Sequence, residues 1–307
     1  MTPSAAGRPP AARLTDVGIR FGRTWGLRYA SVTIPAGSVV ALVGTNGAGK
    51  TCLIRALVGL QAVDEGTVEV FGDRVGADDP SHLERVGYVG QGKPLYGHLK
   101  IHEMLDYGRA TNPGWDHPFA VDRVRHVGID LDHRIAHLSG GQRTQIALTM
   151  ALAKQPALLL LDEPLGDVDP LARQEVLARL MDDVTDRGTT VVLSSHILGE
   201  LESTCGQVIA LDDGLVALAG DIETIVAEHV LLTGPADGLE HLSRQGTIVD
   251  HRRDGTSAKA LVRLSVDRRL LDARWHVHDV GMDAVVRGHL RSHEFPSPSA
   301  TGLQAAL

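Results

Sequence analysis

The 307-residue sequence predicts an α/β protein built around a largely parallel sheet. Three observations carry that prediction. Short apolar, β-branched runs recur at residues 38–43 (SVVALV), 157–161 (ALLLL) and 189–193 (TTVVL). Such runs suit strands buried on both faces. Helix-period patterns separate the runs, the grammar of parallel strands joined by crossover helices. Each run also stops at polar residues, at 44–51, at Asp162 and Glu163, and at 194–196. In an open parallel sheet, ligands sit at the carboxyl ends of the strands.

In chain order, residues 1–13 contain three prolines and no apolar core. They read as a flexible tail and not as a signal peptide. Residues 17–21 and 31–34 read as strands. The run at 38–43 leads through a glycine-rich loop into a helix at 50–58. From about 81 to 154 helical patterns dominate, at 101–109, 119–127 and 142–154, which predicts a helical insertion within an α/β domain spanning 14–229. Strands at 230–232, 247–250 and 259–265 and a helix at 282–290 then predict a small α+β extension over 230–291. The Ser/Pro/Ala-rich residues 292–307 read as a second flexible tail. Residues 230–307 hold 10 Lys+Arg against 9 Asp+Glu, a net +1, whereas residues 1–229 hold 20 against 29, a net −9. That change supports a boundary near 229.

Composition excludes several classes. Two cysteines, Cys52 and Cys205, cannot make a disulfide framework or a four-cysteine zinc site, and both read as free thiols. The net charge of −8 argues against nucleic acid as a partner. The longest stretch without Asp, Glu, Lys or Arg, residues 29–49, is broken by Pro35, Gly37, Gly44 and Gly47, so it is no membrane span. Six histidines after residue 229 follow no zinc-ligand spacing and read as surface residues.

The chemistry concentrates in three places. Gly44, Thr45, Asn46, Gly47, Ala48, Gly49, Lys50 and Thr51 fit G-x-x-x-x-G-K-[ST] between a strand and a helix. Glycines let consecutive N–H groups curl around a phosphate, the helix dipole adds positive potential, Lys50 supplies a cation, and Thr51 a hydroxyl for Mg²⁺. Asp162 and Glu163 end an apolar strand, where two carboxylates are costly unless they face a cation or a catalytic water. Asp162 then reads as the Mg²⁺ partner and Glu163 as the base that orients water. Ser139, Gly140, Gly141 and Gln142 open a helix. Ser139 suits an N-cap, and the bare N–H groups suit a second anion.

Together these motifs resemble the nucleotide-binding subunit of an ABC (ATP-binding cassette) transporter over about residues 14–229. LSGGQ at 138–142 is that family's signature sequence. The resemblance implies a P-loop NTPase core of ABC ATPase type binding ATP and Mg²⁺. It assigns Gln91 to the Q-loop as a group touching Mg²⁺ or the water, Asp169 to the D-loop, His196 to the switch that holds the γ-phosphate, and Phe21 to adenine stacking. Cys52 stands where a second threonine is common, beside the nucleotide. The resemblance implies a head-to-tail homodimer in which residues 139–141 of one subunit cover the nucleotide held by residues 44–51 of the other. It also implies a separate polytopic permease, docked near 91–105 with Met104, Leu105 and Tyr107 as candidate contacts, the alternative for these three being the core of their helix, and a place on the cytoplasmic face of the membrane. Asp167 departs from the pattern, adding an acid to the D-loop. The residues after 229, above all 276–290, resemble the extension of ATPase subunits that serve ABC-2 type exporters. The alternative is a soluble ABC ATPase acting on ribosomes or DNA, or a regulatory module. A single cassette without a basic arm disfavours the first, and intact Glu163 and His196 disfavour the second.

Overall fold

The computed structural model describes residues 9–294, apart from 77–79, 186, 197–198, 200 and 202–203. Of the tails expected at 1–13 and 292–307, residues 1–8 and 295–307 lie outside the described residues, and residues 292–294 are helical. Residues 9–13 do not belong to a loose tail throughout, because strand β1 (Ala12–Phe21) starts at Ala12. Ala11 is buried and its backbone is held on both sides, donating to Ile34 O and accepting from Phe71 N at 2.9 Å each.

β1 pairs antiparallel with β2 (Thr24–Ile34). Then come β3 (Val39–Gly44), helix α1 (Lys50–Val58), β4 (Glu65–Val70), the short β5 (Asp73–Arg74) and β6 (Val86–Val89). The helices α2 (Ile101–Thr111), α3 (His117–His126) and α4 (Gly140–Leu152) follow, and then β7 (Leu158–Leu161), α5 (Pro170–Thr185), β8 (Thr190–Ser195), β9 (Gln207–Asp212) and β10 (Leu215–Asp221). The central sheet runs β10-β9-β3-β8-β7-β6, parallel except for the edge strand β10. All four leucines of β7 are buried, as a strand covered on both faces requires.

β6 corrects one expectation. It lies inside the span assigned to the helical insertion, yet it pairs in parallel with β7, from Val86 opposite Leu158 to Val89 opposite Leu161. Four residues are too few for hydrophobic period to separate a strand from a helical segment. The insertion therefore begins after β6. Its own core gathers Ile101, Leu105, Ala120, Val124, Ile135 and Ile146. α4 joins this core to the main one, because its Leu148, Ala151 and Leu152 pack under the central sheet.

A third sheet follows α6 (Ile222–Glu228). It comprises β11 (His229–Pro235), β12 (Gly246–Asp254) and β13 (Ser257–Leu264), with α7 (Leu239–Leu242) between β11 and β12, and then β14 (His276–His278), in the antiparallel order β12-β13-β11-β14. One face buries Val230, Leu232, Leu242, Val262 and Trp275 in a core of its own. The other face meets α8 (Met282–Glu294), whose Met282, Val285 and Val286 join the core under the central sheet. The extension is thus fastened to the main body through α8.

Candidate functional site

Central strands β3, β8 and β7 are consecutive neighbours. The three polar runs that end them therefore open side by side on one edge of the sheet.

At the end of β3 the chain curls through residues 44–49 into α1. Gly44 has φ +153° and Gly49 φ +105°, and an added Cβ would sit 2.4 Å from Leu211 O at the first and 2.3 Å from Gly26 O at the second. Only glycine fits both the dihedrals and the space. Gly49 is also the N-cap of α1 and offers no side chain there, so the first turn keeps bare N–H groups. Lys50 is buried (6% exposed) and folds back over the loop, donating to Gly44 O at 2.8 Å and Thr45 O at 3.1 Å.

Lys50 Nζ also lies 3.5 Å from Glu163 Oε1, and His196 Nδ1 lies 3.5 Å from Glu163 Oε2. One carboxylate is thus flanked by an ammonium from the β3 loop and an imidazole from the end of β8. Glu163 has φ +46°, a left-handed conformation that costs about 1–2 kcal/mol for a residue with a Cβ. Its N–H donates to Ser194 Oγ at 2.8 Å, and Ser194 Oγ donates to Asp162 Oδ1 at 3.0 Å. Ser194 therefore fixes both acids. The sequence marked Ser194 only as part of a polar strand end, and the signal for this role was a hydroxyl closing an otherwise apolar strand.

Asp162 is 1% exposed, and among the described residues its Oδ2 is buried without a hydrogen-bond partner. Its charge reaches α1, where it adds to the upward push that burial exerts on the Cys52 thiol. A buried carboxylate oxygen with free lone pairs beside the helix carrying Thr51 is a hard-oxygen donor set, and it fits a hydrated Mg²⁺. Gln91 follows β6 by two residues, and Asp162 N donates to Val89 O at 2.8 Å, so the exposed loop of Gln91 starts from the strand end next to Asp162.

Phe21 is 52% exposed, so it is not a core strand residue. Its ring and the Cys52 sulfur both lie against Gly26, where a Cβ would come within 2.7 Å and 2.9 Å of them. The aromatic is therefore held open to solvent next to the first turn of α1.

The second group of expected residues sits elsewhere. Ser139 caps α4 reciprocally with Gln142: its Oγ accepts from Gln142 N at 3.2 Å, while Gln142 Oε1 accepts from Ser139 N at 3.1 Å. Gly140 packs against Asp167, whose carbonyl oxygen would stand 2.7 Å from an added Cβ. Asp169 Oδ1 accepts from Leu171 N at 2.9 Å at the start of α5. Within one chain these residues are engaged with one another. Asp167 accepts from Lys93 Nζ at 2.8 Å, a contact the sequence did not suggest.

Two of the three expected permease contacts are corrected. Met104 (5% exposed) and Leu105 (0%) share the buried face of α2 with Ile101. Tyr107 lies off that face, 44% exposed, its ring edge-on to the exposed Tyr96 at 5.4 Å between centroids.

Comparison with known proteins adds the following. A family model described as ABC transporter matches residues 27–166. The molybdenum import ATP-binding protein ModC of Paramagnetospirillum magneticum is 35% identical over 66% of this chain and 59% of its own length. The sulfate/thiosulfate import ATP-binding protein CysA 2 of Rhizobium meliloti is 32% identical over 69% of this chain and 60% of its own. The chain thus spans about three-fifths of the length of these curated relatives. Among solved structures, an ATP-binding subunit of an ABC transporter superposes with TM-score 0.62 at 24% identity, over 71% of this chain and 92% of that one. The ATP-binding cassette MJ0796, a dimer in a post-hydrolysis state bound to ADP and Pi, superposes with TM-score 0.61 at 22% identity, over 68% and 98%. At these identities the structural likeness is one of fold.

Proposed function

The chain carries an ABC transporter ATP-binding domain, with the P-loop NTPase fold of that family and its helical insertion, and on this premise we propose that it is the ATP-hydrolysing subunit of an ABC transporter. The observation that carries the proposal is the placement of Lys50, Asp162, Glu163 and His196 on adjacent strand ends, with Lys50 and His196 each 3.5 Å from Glu163.

In this reading the amides of 44–51 and the first turn of α1 cradle the ATP phosphates, and Lys50 turns from its loop carbonyls toward the β- and γ-phosphates. Thr51, Asp162 and Gln91 hold Mg²⁺, which neutralises phosphate charge when bound. Phe21 stacks on adenine. Glu163 orients the attacking water and accepts its proton, in a conformation fixed by Ser194. His196 holds the γ-phosphate. Two copies associate head to tail, so that Ser139, Gly140 and Gly141 cap the partner's nucleotide and Asp169 faces the partner.

No helix among the described residues is long and apolar enough to cross a membrane. In this reading the transport path belongs to a polytopic permease, and this subunit works on the cytoplasmic face beside it. The exposed pair Tyr96 and Tyr107 is the better candidate contact for that permease.

Export of ABC-2 type is the finer reading, and the resemblance of residues 276–290 to the ending of such exporter subunits supports it. Import is the second reading, favoured by the import names of the relatives above, whose matched regions amount to about two-thirds of this chain.

The decisive experiment is Glu163→Gln. We expect ATP·Mg²⁺ to bind and to drive a stable dimer, with hydrolysis reduced by ~10²-fold or more, as loss of a general base implies. A protein that stays monomeric at saturating ATP·Mg²⁺ overturns the shared site. ATP-driven accumulation in inverted vesicles, with the co-purified permease, distinguishes export from import.

A further inference from the structure

Lys93 is 2% exposed, and its backbone is left-handed at φ +41°. It stands two residues after Gln91 on the same loop, where Lys93 N donates to Gly90 O at 2.9 Å. Its ammonium meets Asp167 Oδ2 at 2.8 Å, on the loop that carries Asp169. The backbone of Asp167 in turn supports the start of α4, because its carbonyl oxygen closes the space beside Gly140. Three segments therefore converge on one ion pair: the loop of Gln91, the loop of Asp169 and the first turn of the helix that opens with Ser139.

The burial is unequal, and this gives the pair a direction. The Lys93 side chain is 1% exposed and the Asp167 side chain 64%. The lysine is part of the packed body, and the aspartate reaches to it from a surface loop. A buried ammonium without its carboxylate is strongly unfavourable. The loop of Asp167 therefore gains by following Lys93 wherever Lys93 moves. The hydrogen bond from Lys93 also holds the Asp167 carboxyl below the usual range, so Asp167 stays charged across physiological pH.

We infer that the Lys93–Asp167 ion pair is a tie that moves the dimer-facing loop of Asp169 and the start of α4 with the loop of Gln91. Gln91 faces the nucleotide of its own subunit, whereas Asp169 and Ser139 face the partner. The tie then links occupancy of one site to the surface offered to the other copy. Lys93 and Asp167 touch neither nucleotide nor metal, and they act as positioning residues. This inference rests on the ATP-driven dimer proposed above.

The test uses the full chain in the Glu163→Gln background, with Asp167→Asn, Lys93→Met and the two combined. Methionine fills the buried lysine site without a charge, whereas Asp167→Asn leaves the Lys93 ammonium without its carboxylate and should lower the melting temperature, so thermal melting sets an assay temperature at which every variant is folded. The readouts are the ATP·Mg²⁺ concentration at half-maximal dimerisation, by sedimentation, and the affinity of the monomer for a fluorescent ATP analogue at low protein concentration. We expect each single substitution to raise the dimerisation midpoint by about fivefold or more, and the combination to be no worse than the poorer single, as residues sharing one interaction behave. Nucleotide affinity of the monomer is expected to stay within about twofold. Asp167→Glu should restore most of the midpoint. A pair that only stabilises the fold would shift the melting temperature and leave the midpoint in place, which overturns the tie. Strictly additive shifts also overturn it. If the Glu163→Gln protein itself fails to dimerise, the shared-site reading falls and the tie with it, a result distinct from a dimer indifferent to Asp167.

Discussion

At the carboxyl edge of the central sheet, Asp162 is 1% exposed and the Glu163 side chain 16%, whereas in the extension Arg263 pairs with Glu228 and Arg268 with Asp279 out at the surface. Both regions are sheets backed by helices with apolar cores of ordinary composition. They differ in where they put their charge. Exposed pairs of the second kind contribute ~0–1 kcal/mol, and the chain can exchange them freely. Burying acids costs several kcal/mol unless partners offset it, and here the offset is incomplete, because Asp162 Oδ2 has no partner among the described residues. Glu163 adds backbone strain at φ +46°. A fold keeps such costs where a ligand uses them. The extension's own buried polar atoms without a partner, Gln245 Oε1 and Trp275 Nε1, are neutral, so buried charge is the contrast, and it points to chemistry in the first region and to attachment in the second.

The largest expected effect tests the first half of that statement. Lys50→Ala removes a buried ammonium that meets two loop carbonyls and Glu163. A charge-assisted contact to phosphate of ~3–4 kcal/mol implies a loss of ATP affinity of about 150-fold to ~10³-fold. Titration calorimetry measures it. Unchanged affinity would mean that the edge of the sheet is as inert as the extension.

Ser194→Ala comes next in size. It removes the hydroxyl that donates to Asp162 and accepts from Glu163, leaving both Asp162 oxygens without a hydrogen-bond partner among the described residues. We expect a stability loss of ~1–3 kcal/mol in urea unfolding. Hydrolysis should fall by ~10-fold or more with ATP affinity within about threefold, since the residue positions the base and does not touch phosphate. Thr233→Val is the matched control in the extension, where the hydroxyl bonds His278 at an exposed site. Equal losses from the two substitutions would break the comparison.

How much of this was legible in the sequence follows from the same contrast. Lys50, Asp162, Glu163 and His196 stand at the ends of apolar runs, so strand grammar alone brought them to one edge. Helix α1 was readable to its bounds, 50–58, because glycines flank it at 49 and 59. β6 was not, because four residues carry no decisive period. Met104 and Leu105 were misplaced because the docking expectation came from the resemblance, while helical spacing from Ile101 put them on the buried face. Lys93 and Asp167 lie 74 residues apart, and no local signal joins them. Their meeting depends on β6 and β7 being neighbours, a fact of topology.

The smallest effect sharpens the boundary between the two regions. His229 opens β11, 1% exposed, with Nδ1 at 2.7 Å from Ile225 O on α6 and Nε2 at 3.1 Å from His289 Nε2 on α8. A carbonyl only accepts, so Nδ1 carries the proton, and Nε2 of the neutral ring accepts from His289. Protonating His229 puts a second N–H on a buried ring and keeps the contact with His289 only if that ring changes tautomer. Burial lowers the pKa of His229 below its usual 6.5. The unfolded chain then binds the proton more readily than the folded one, so stability is full above pH 6.5 and declines as pH falls below it. Between pH 7.5 and 5.5 this ring should contribute a loss of stability that grows as the pH falls. His229→Gln, whose amide can donate to Ile225 O and accept from His289, should flatten that part of the pH profile in thermal melts. ATP affinity at pH 7.5 should not change, because this residue lies in the region of attachment. A profile equally steep in His229→Gln would place the acid sensitivity elsewhere, and a loss of ATP affinity at pH 7.5 would show that the two regions are not energetically separate.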